Sequence, residues 1–261
     1  MNALRLARLD LRLLWRNRTS LFLLVAMPVV ITVILAGRNR GVLDGVDAVL
    51  YVGTGQMALF LLFSVFVNLA GVFTVRREEM VLKRLRGSVL SPAEIFTGSG
   101  LAATGLLLVQ VLALLVFLAA SVGGPMPANV PLLVTGLAGG VVVCVALALI
   151  VSGLTPRSEL TQITTLPVTL ACMATSGAYV PIGALPDLVE KIAEFLPLTS
   201  VLQIVRTAYF GRDLTTAGVA RPVGAWEGFV ACLPQIGIVA AWCLVAAVPA
   251  ALLFRWERRR S

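Results

Sequence analysis

The sequence predicts an all-α polytopic membrane protein, and three observations predict it. Hydrophobic residues fill 59% of the 261 positions and charged residues only 13%, far more apolar surface than a water-facing domain carries. The mean hydropathy is +0.96, and the apolar residues fall in runs of about 20, the length that crosses a bilayer as a helix. Lys and Arg, 21 against 13 Asp and Glu, gather in short clusters at the ends of those runs, where they anchor and orient membrane helices. That clustering argues against nucleic acid as the partner, although the net charge is +8 and the pI is near 10.2. It points instead to membrane lipid.

Residues 1–18, MNALRLARLDLRLLWRNR, put Arg5, Arg8, Arg12 and Arg16 on one stripe of a helical wheel. Leu6, Leu11, Leu13 and Leu14 lie opposite. This is an amphipathic helix suited to the headgroup plane. The first span is expected over 20–36, with Pro28 inside it. No cleavable leader is expected, because more spans follow and no small-x-small exit closes the first run. The second span covers 49–74 and carries Ser64 and Asn68. A charged stretch follows, and SPAE then supplies Ser91 as N-cap, Pro92 at the first helical position and Glu94 to complete a capping box. The third span therefore runs 92–121. Spans four and five cover 132–152 and 160–180, with Pro167 inside the fifth, and the sixth covers 229–254. Between five and six, residues 181–228 form a long outer segment. Within it, LPDLVEKIAEFLP sets Leu188, Ile192, Phe195 and Leu196 against Asp187, Glu190, Lys191 and Glu194, the pattern of a short surface helix closed by Pro197.

Orientation follows from the cations. With the N-terminus inside, Arg5, Arg8, Arg12, Arg16, Arg18, Arg76, Arg77, Lys83, Arg84, Arg86, Arg157 and the four C-terminal arginines are cytoplasmic, leaving Arg38, Arg40, Lys191, Arg206, Arg212 and Arg221 outside. This asymmetry expects six spans with both ends in the cytoplasm.

The inventory excludes several chemistries. There is no histidine, so Ser-His-Asp and Cys-His catalysis and His-bearing metal sites are absent. Cys144, Cys172, Cys232 and Cys243 lie in apolar runs without CxxC spacing, as small buried hydrophobes do. The expected spans hold no ionisable residue near their middles, which counts against ion-driven antiport and voltage sensing. No P-loop GxxxxGK[ST] occurs, so energy for transport has to come from another subunit and no enzyme activity is expected of this chain. No cofactor or metal is expected on it.

Neutral side chains are the candidates for a substrate pathway: Ser64, Asn68, Thr161, Thr165, Thr169 and Met173. The three threonines recur every fourth residue and share a helix face; such hydroxyls also commonly bond within the membrane to a backbone carbonyl. The candidate docking surface for the energising subunit is RREEMVLKRLR. It places seven charges between Arg76 and Arg86, with Glu79 and Lys83 at helical i, i+4 spacing and Val81, Leu82 and Leu85 as an apolar edge. The alternative is a solvated positive-inside loop.

Three stretches resemble the permease subunits of ABC-2 type exporters: RREEMVLKRLRGSVLSPAEI, SGAYVPIGALPDLVEKIAEFLPLTSVLQIVR and RNRTSLFLLVAMPVV. In the first, Glu78, Glu79, Leu82, Arg84, Leu85, Arg86, Ser91 and Glu94 match the family's loop after the second span. The Gly-Thr usual after the acidic pair is Met80-Val81 here, which puts the local backbone in question. The resemblance implies one transmembrane domain over residues 1–261, with a cytoplasmic coupling loop at 76–90 and short outward helices between spans five and six. It implies coupling through Arg76, Arg77, Glu78, Glu79, Leu82, Lys83, Arg84, Leu85 and Arg86. It further implies two ABC ATPase subunits that hold the ATP and Mg, a second permease copy in a homodimer, and a bacterial cytoplasmic membrane. The cargo it implies is a hydrophobic or amphipathic small molecule, drug- or antibiotic-like. Two alternatives stay open: a lipid or glycoconjugate exporter, and a membrane sensor or assembly subunit that docks an ATPase without transporting.

Overall fold

The architecture comes from a computed structural model that describes residues 41–43, 45–80, 92–179, 181–215 and 221–253, with single positions at Arg8, Val30 and Ile34. Apart from those three positions, the expected interfacial helix 1–18 and first span lie outside the described residues, as do residues 81–91 and the C-terminal arginines. Two short strands, β1 (Val42–Leu43) and β2 (Val46–Asp47), pair antiparallel and lead into the first long rod. Asp47 starts that rod, because its Oδ1 accepts from Val49 N at 2.8 Å and Leu50 N at 3.3 Å.

The rod is α1 (Ala48–Phe60), a π-helical segment (Leu61–Val67) and α2 (Asn68–Glu78). It is apolar on every side and buried along most of its length, so other helices surround it. α3 (Pro92–Val122) and α4 (Val130–Leu154) follow. Asn129 caps α4, accepting from Leu132 N at 3.1 Å. α5 (Thr161–Thr175) contains Pro167 and begins from a 3₁₀ turn at Ser158–Leu160. A second 3₁₀ turn (Ile182–Ala184) precedes α6 (Asp187–Glu194) and α7 (Pro197–Phe210). Strands β3 (Arg212–Asp213) and β4 (Arg221–Pro222) pair, and α8 (Ala225–Ala231) and α9 (Leu233–Leu253) close the described chain.

α4 is the hub. It packs against α9, α7, the π segment and α2, and its glycines let the neighbours close in. A Cβ at Gly140 would lie 2.7 Å from Leu61 Cδ1 and 3.3 Å from Val201 Cγ1, so hydrogen is the only side chain that fits without a shift. The outer faces are also apolar: Leu101, Leu108, Leu112 and Val116 on α3, and Leu244, Val248 and Leu252 on α9, are exposed. Helices that are apolar both inside and outside the bundle are solvated by lipid, not water.

Four helices among the described residues are long and apolar enough to span: Ala48–Glu78, Glu94–Val122, Val130–Leu154 and Leu233–Ala250. The all-α polytopic membrane class therefore holds. α5 has 15 residues, about 22 Å of helix against a hydrocarbon core of about 30 Å. Residues 176–179 continue its path as irregular chain, not helix. The segment 181–228, expected on the outer side, holds short helices that differ in placement. α6 turns Leu188, Ile192 and Phe195 outward, whereas α7 is buried almost throughout, between α1, α4 and α9.

Candidate functional site

Two polar clusters, one near each end of the long rod, and a neutral band between them hold the candidate residues. At the α2 end, Arg76 Nη1 donates to Ser99 Oγ of α3 at 2.7 Å. Arg77 is buried, 4% exposed. Its Nη1 donates to Ser152 O at 2.5 Å and its Nη2 to Thr155 O. These carbonyls belong to the C-terminal end of α4, which lacks intrahelical donors and carries the negative end of the helix dipole. Beside it, Glu78 Oε2 accepts from Ser158 N at 2.9 Å, a carboxylate set on the first turn leading into α5. Glu79, the C-cap of α2, is exposed. Of the expected coupling residues, Arg76, Arg77, Glu78 and Glu79 are thus gathered here, and Arg77 and Glu78 face the protein's own turn. Leu82, Lys83, Arg84, Leu85 and Arg86 lie outside the described residues.

Met80 answers the question raised by the missing glycine. Its φ is +60°, the left-handed conformation that glycine adopts freely and that costs other residues about 1–2 kcal/mol. Its N–H bonds Arg77 O at 3.1 Å. The tight exit from α2 is kept despite the methionine side chain.

In the middle of the rod, Ser64 lies in the π segment, fully buried, and its Oγ donates to Gln110 Oε1 of α3 at 2.6 Å. Asn68 Nδ2 donates to Ser64 O at 3.2 Å. π segments re-aim side chains by one position and concentrate at functional sites. Gln110 was overlooked in the sequence; its signal is a lone amide in an otherwise apolar run.

Thr161, Thr165 and Thr169 do share one face of α5, but that face is buried within the same chain. Thr165 Oγ1 donates to Thr161 O and Thr169 Oγ1 to Thr165 O, each at 2.9 Å, the back-bonding expected of hydroxyls in apolar helices. Met173 packs half-buried against the core. The exposed face of α5 is instead Ile163, Leu166 and Leu170. A small apolar cavity separates the π segment from α5 and α7, lined by Leu62, Phe66, Cys144, Cys172 and Leu198 among others. The four cysteines are free thiols, and no cluster able to hold a metal occurs among the described residues.

At the α1 end lies the residue that sequence reasoning misplaced. Arg206, counted among the outer-loop cations, sits on α7 and is 4% exposed. Its Nη2 donates to Gly177 O at 2.9 Å and to Tyr51 O and Ala178 O at 3.3 Å, and its guanidinium lies 3.5 Å from the centre of the Tyr51 ring. Tyr51 OH also donates to Gly177 O at 3.2 Å, and Tyr179 OH to Gln56 Oε1 at 3.2 Å. A Cβ on Gly55 would fall 2.2 Å from Ala178 O, so the backbone after α5 can touch α1 only because position 55 is glycine. The signal was available in the sequence: Leu202, Arg206 and Phe210 are spaced by four in an apolar helix, and an arginine so placed has to find buried acceptors.

The family model for ABC-2 type transporters matches residues 3–210. That stretch takes in the long rod, both polar clusters and α7. Among curated proteins there is no match.

Proposed function

The chain belongs to the ABC-2 type transporter family and is a multi-pass transmembrane permease component that works with an ABC ATPase, and from that premise we propose that it exports a hydrophobic or amphipathic small molecule across a bacterial cytoplasmic membrane. Six spans, both ends inside, and a homodimer of permeases above two ATPase subunits complete the proposal. ATP and Mg reside on those subunits. Residues 76–86 form the surface through which closure of the ATPases reaches the spans.

One observation carries the choice of cargo. The polar groups held together at the π segment are neutral: Ser64 and Gln110, buried and bonded to each other, and Asn68, partly exposed beside them. The partly exposed Asn68 amide offers a hydrogen bond without a fixed charge, which suits an oily molecule with a polar end, and the band gives an ion no charged ligand to replace its water. A drug- or antibiotic-like compound is the expected class.

The test is co-expression of the chain with its ATPase subunit and reconstitution in vesicles. ATP turnover is then measured against a panel of lipophilic amines, polyketide antibiotics and short-chain phospholipids. Stimulation by the first two groups supports the proposal. Stimulation by phospholipid alone reassigns the permease to lipids, and uptake driven by an ion gradient without the ATPase rejects it.

A further inference from the structure

Arg77 and Glu78 are neighbours in sequence, opposite in charge, and bonded to opposite sides of one turn. Arg77 holds the last carbonyls of α4, Ser152 O and Thr155 O. Glu78 holds Ser158 N, where the chain starts again toward α5. The favourable sign is met at each end: a cation on a helix C-terminus and an anion on a helix N-terminus. Between those two grips lie only Pro156 and Arg157. The pair also terminates α2, next to exposed Glu79. A displacement of the charged loop that travels back into α2 therefore passes through Arg77 and Glu78, while the loop's other end leads into α3. α2 additionally touches both the 3₁₀ turn at Ser158–Leu160 and α5 itself.

We propose that Arg77 and Glu78 are positioning residues that carry movement of the coupling loop to α5 through the turn 155–158, and do not themselves contact the ATPase. The inference rests on the coupling role proposed for residues 76–86 and divides that set in two. An interface gains from side chains a partner can reach, and Arg77 is withdrawn into the protein, whereas Glu79 is open. Three charge-assisted hydrogen bonds of fixed direction are the kind of contact that transmits a push. The loop then drives two spans at once: the second directly, and the fifth through the clamp.

A single hydrogen atom can be removed to test it. Arg157, which precedes Ser158, is extended at φ −136° and ψ 151°, as a residue before proline must be, and Ser158 opens a 3₁₀ turn, where proline fits. Ser158→Pro thus deletes the N–H that Glu78 accepts and spares the local backbone. Spin labels at Glu79→Cys or Gln162→Cys, with the native cysteines replaced by alanine, are read in the reconstituted complex with ATP and vanadate. In the unaltered clamp both labels respond. Ser158→Pro and Glu78→Ala are expected to cut the shift at Gln162 about tenfold, the scale of one charge-assisted hydrogen bond, and to spare the shift at Glu79. Glu78→Gln, which keeps an acceptor oxygen and loses the charge, restores part of the Gln162 response. A failed Gln variant beside a normal Ser158→Pro would assign Glu78 to docking and overturn the clamp. If Ser158→Pro does not assemble, the contrast of Glu78→Ala with Glu78→Gln decides alone: equal loss in both overturns the proposal. A Glu79 label that ignores nucleotide in the unaltered complex overturns the coupling role beneath it as well, whereas a responding Glu79 label with Gln162 unaffected by either clamp variant overturns the clamp only.

Discussion

Arg206 shows how one side chain can fix a join that apolar packing leaves undefined. Its guanidinium bonds three backbone carbonyls and stacks on Tyr51. Lysine has the charge but cannot both fork and stack. Arg206→Lys is therefore expected to lower stability by about 2 kcal/mol, read as thermal unfolding in detergent. The penalty should shrink in a Tyr51→Leu background, because part of it is the lost cation–π contact. Met80 gives the opposite sign. With φ at +60°, Met80→Gly should raise stability by about 1 kcal/mol in the same assay; a loss would mean that the methionine side chain is packed to advantage.

Among the elements, α4 and α7 decide the fold, and small residues decide their approach. Gly140→Val places a branched side chain where Leu61 and Val201 already sit and should cost about 1–3 kcal/mol. Gly100→Ala is the control, since its Cβ would meet only Val145 Cγ2 at 3.6 Å and it gains helix propensity. It should leave unfolding unchanged or delay it. The period-four threonines of α5 were legible as a face, but not as a buried one, because periodicity tells which residues share a side and not which neighbour covers that side. α6 shows the same limit: its amphipathic pattern was clear, yet its apolar residues Leu188, Ile192 and Phe195 point away from the bundle, as a helix at a lipid boundary places them.

At the scale of the whole molecule, the family implies an ABC ATPase partner, and the charged loop is the joint proposed between it and the membrane body. Arg84→Glu together with Arg86→Glu is expected to abolish ATP-dependent transport while membrane insertion stays intact, since positive-inside anchoring is shared with many other cations. Co-purification with the ATPase at unchanged stoichiometry and turnover would count against that loop as the joint. The double reversal also separates the two halves of the coupling set, because the clamp formed by Arg77 and Glu78 is left in place.

The sequence by itself determined the all-α membrane class and the approximate bounds of the four long apolar helices seen among the described residues. Each of these follows from local composition, because a bilayer demands long apolar helices and any charge in the wrong place is costly. Only the tertiary structure decided that α7 lies inside the bundle, that Arg206 is a buried join and not an outer-loop cation, and that Arg77 and Glu78 turn inward while Glu79 stays open. In a chain where nearly every helix is apolar on all sides, the hydrophobic pattern no longer tells inside from outside. What remains to choose neighbours is shape at the glycines and the acceptors a buried cation can find, and both depend on residues far apart in sequence, as Leu61 and Gly140 or Tyr51 and Arg206 are.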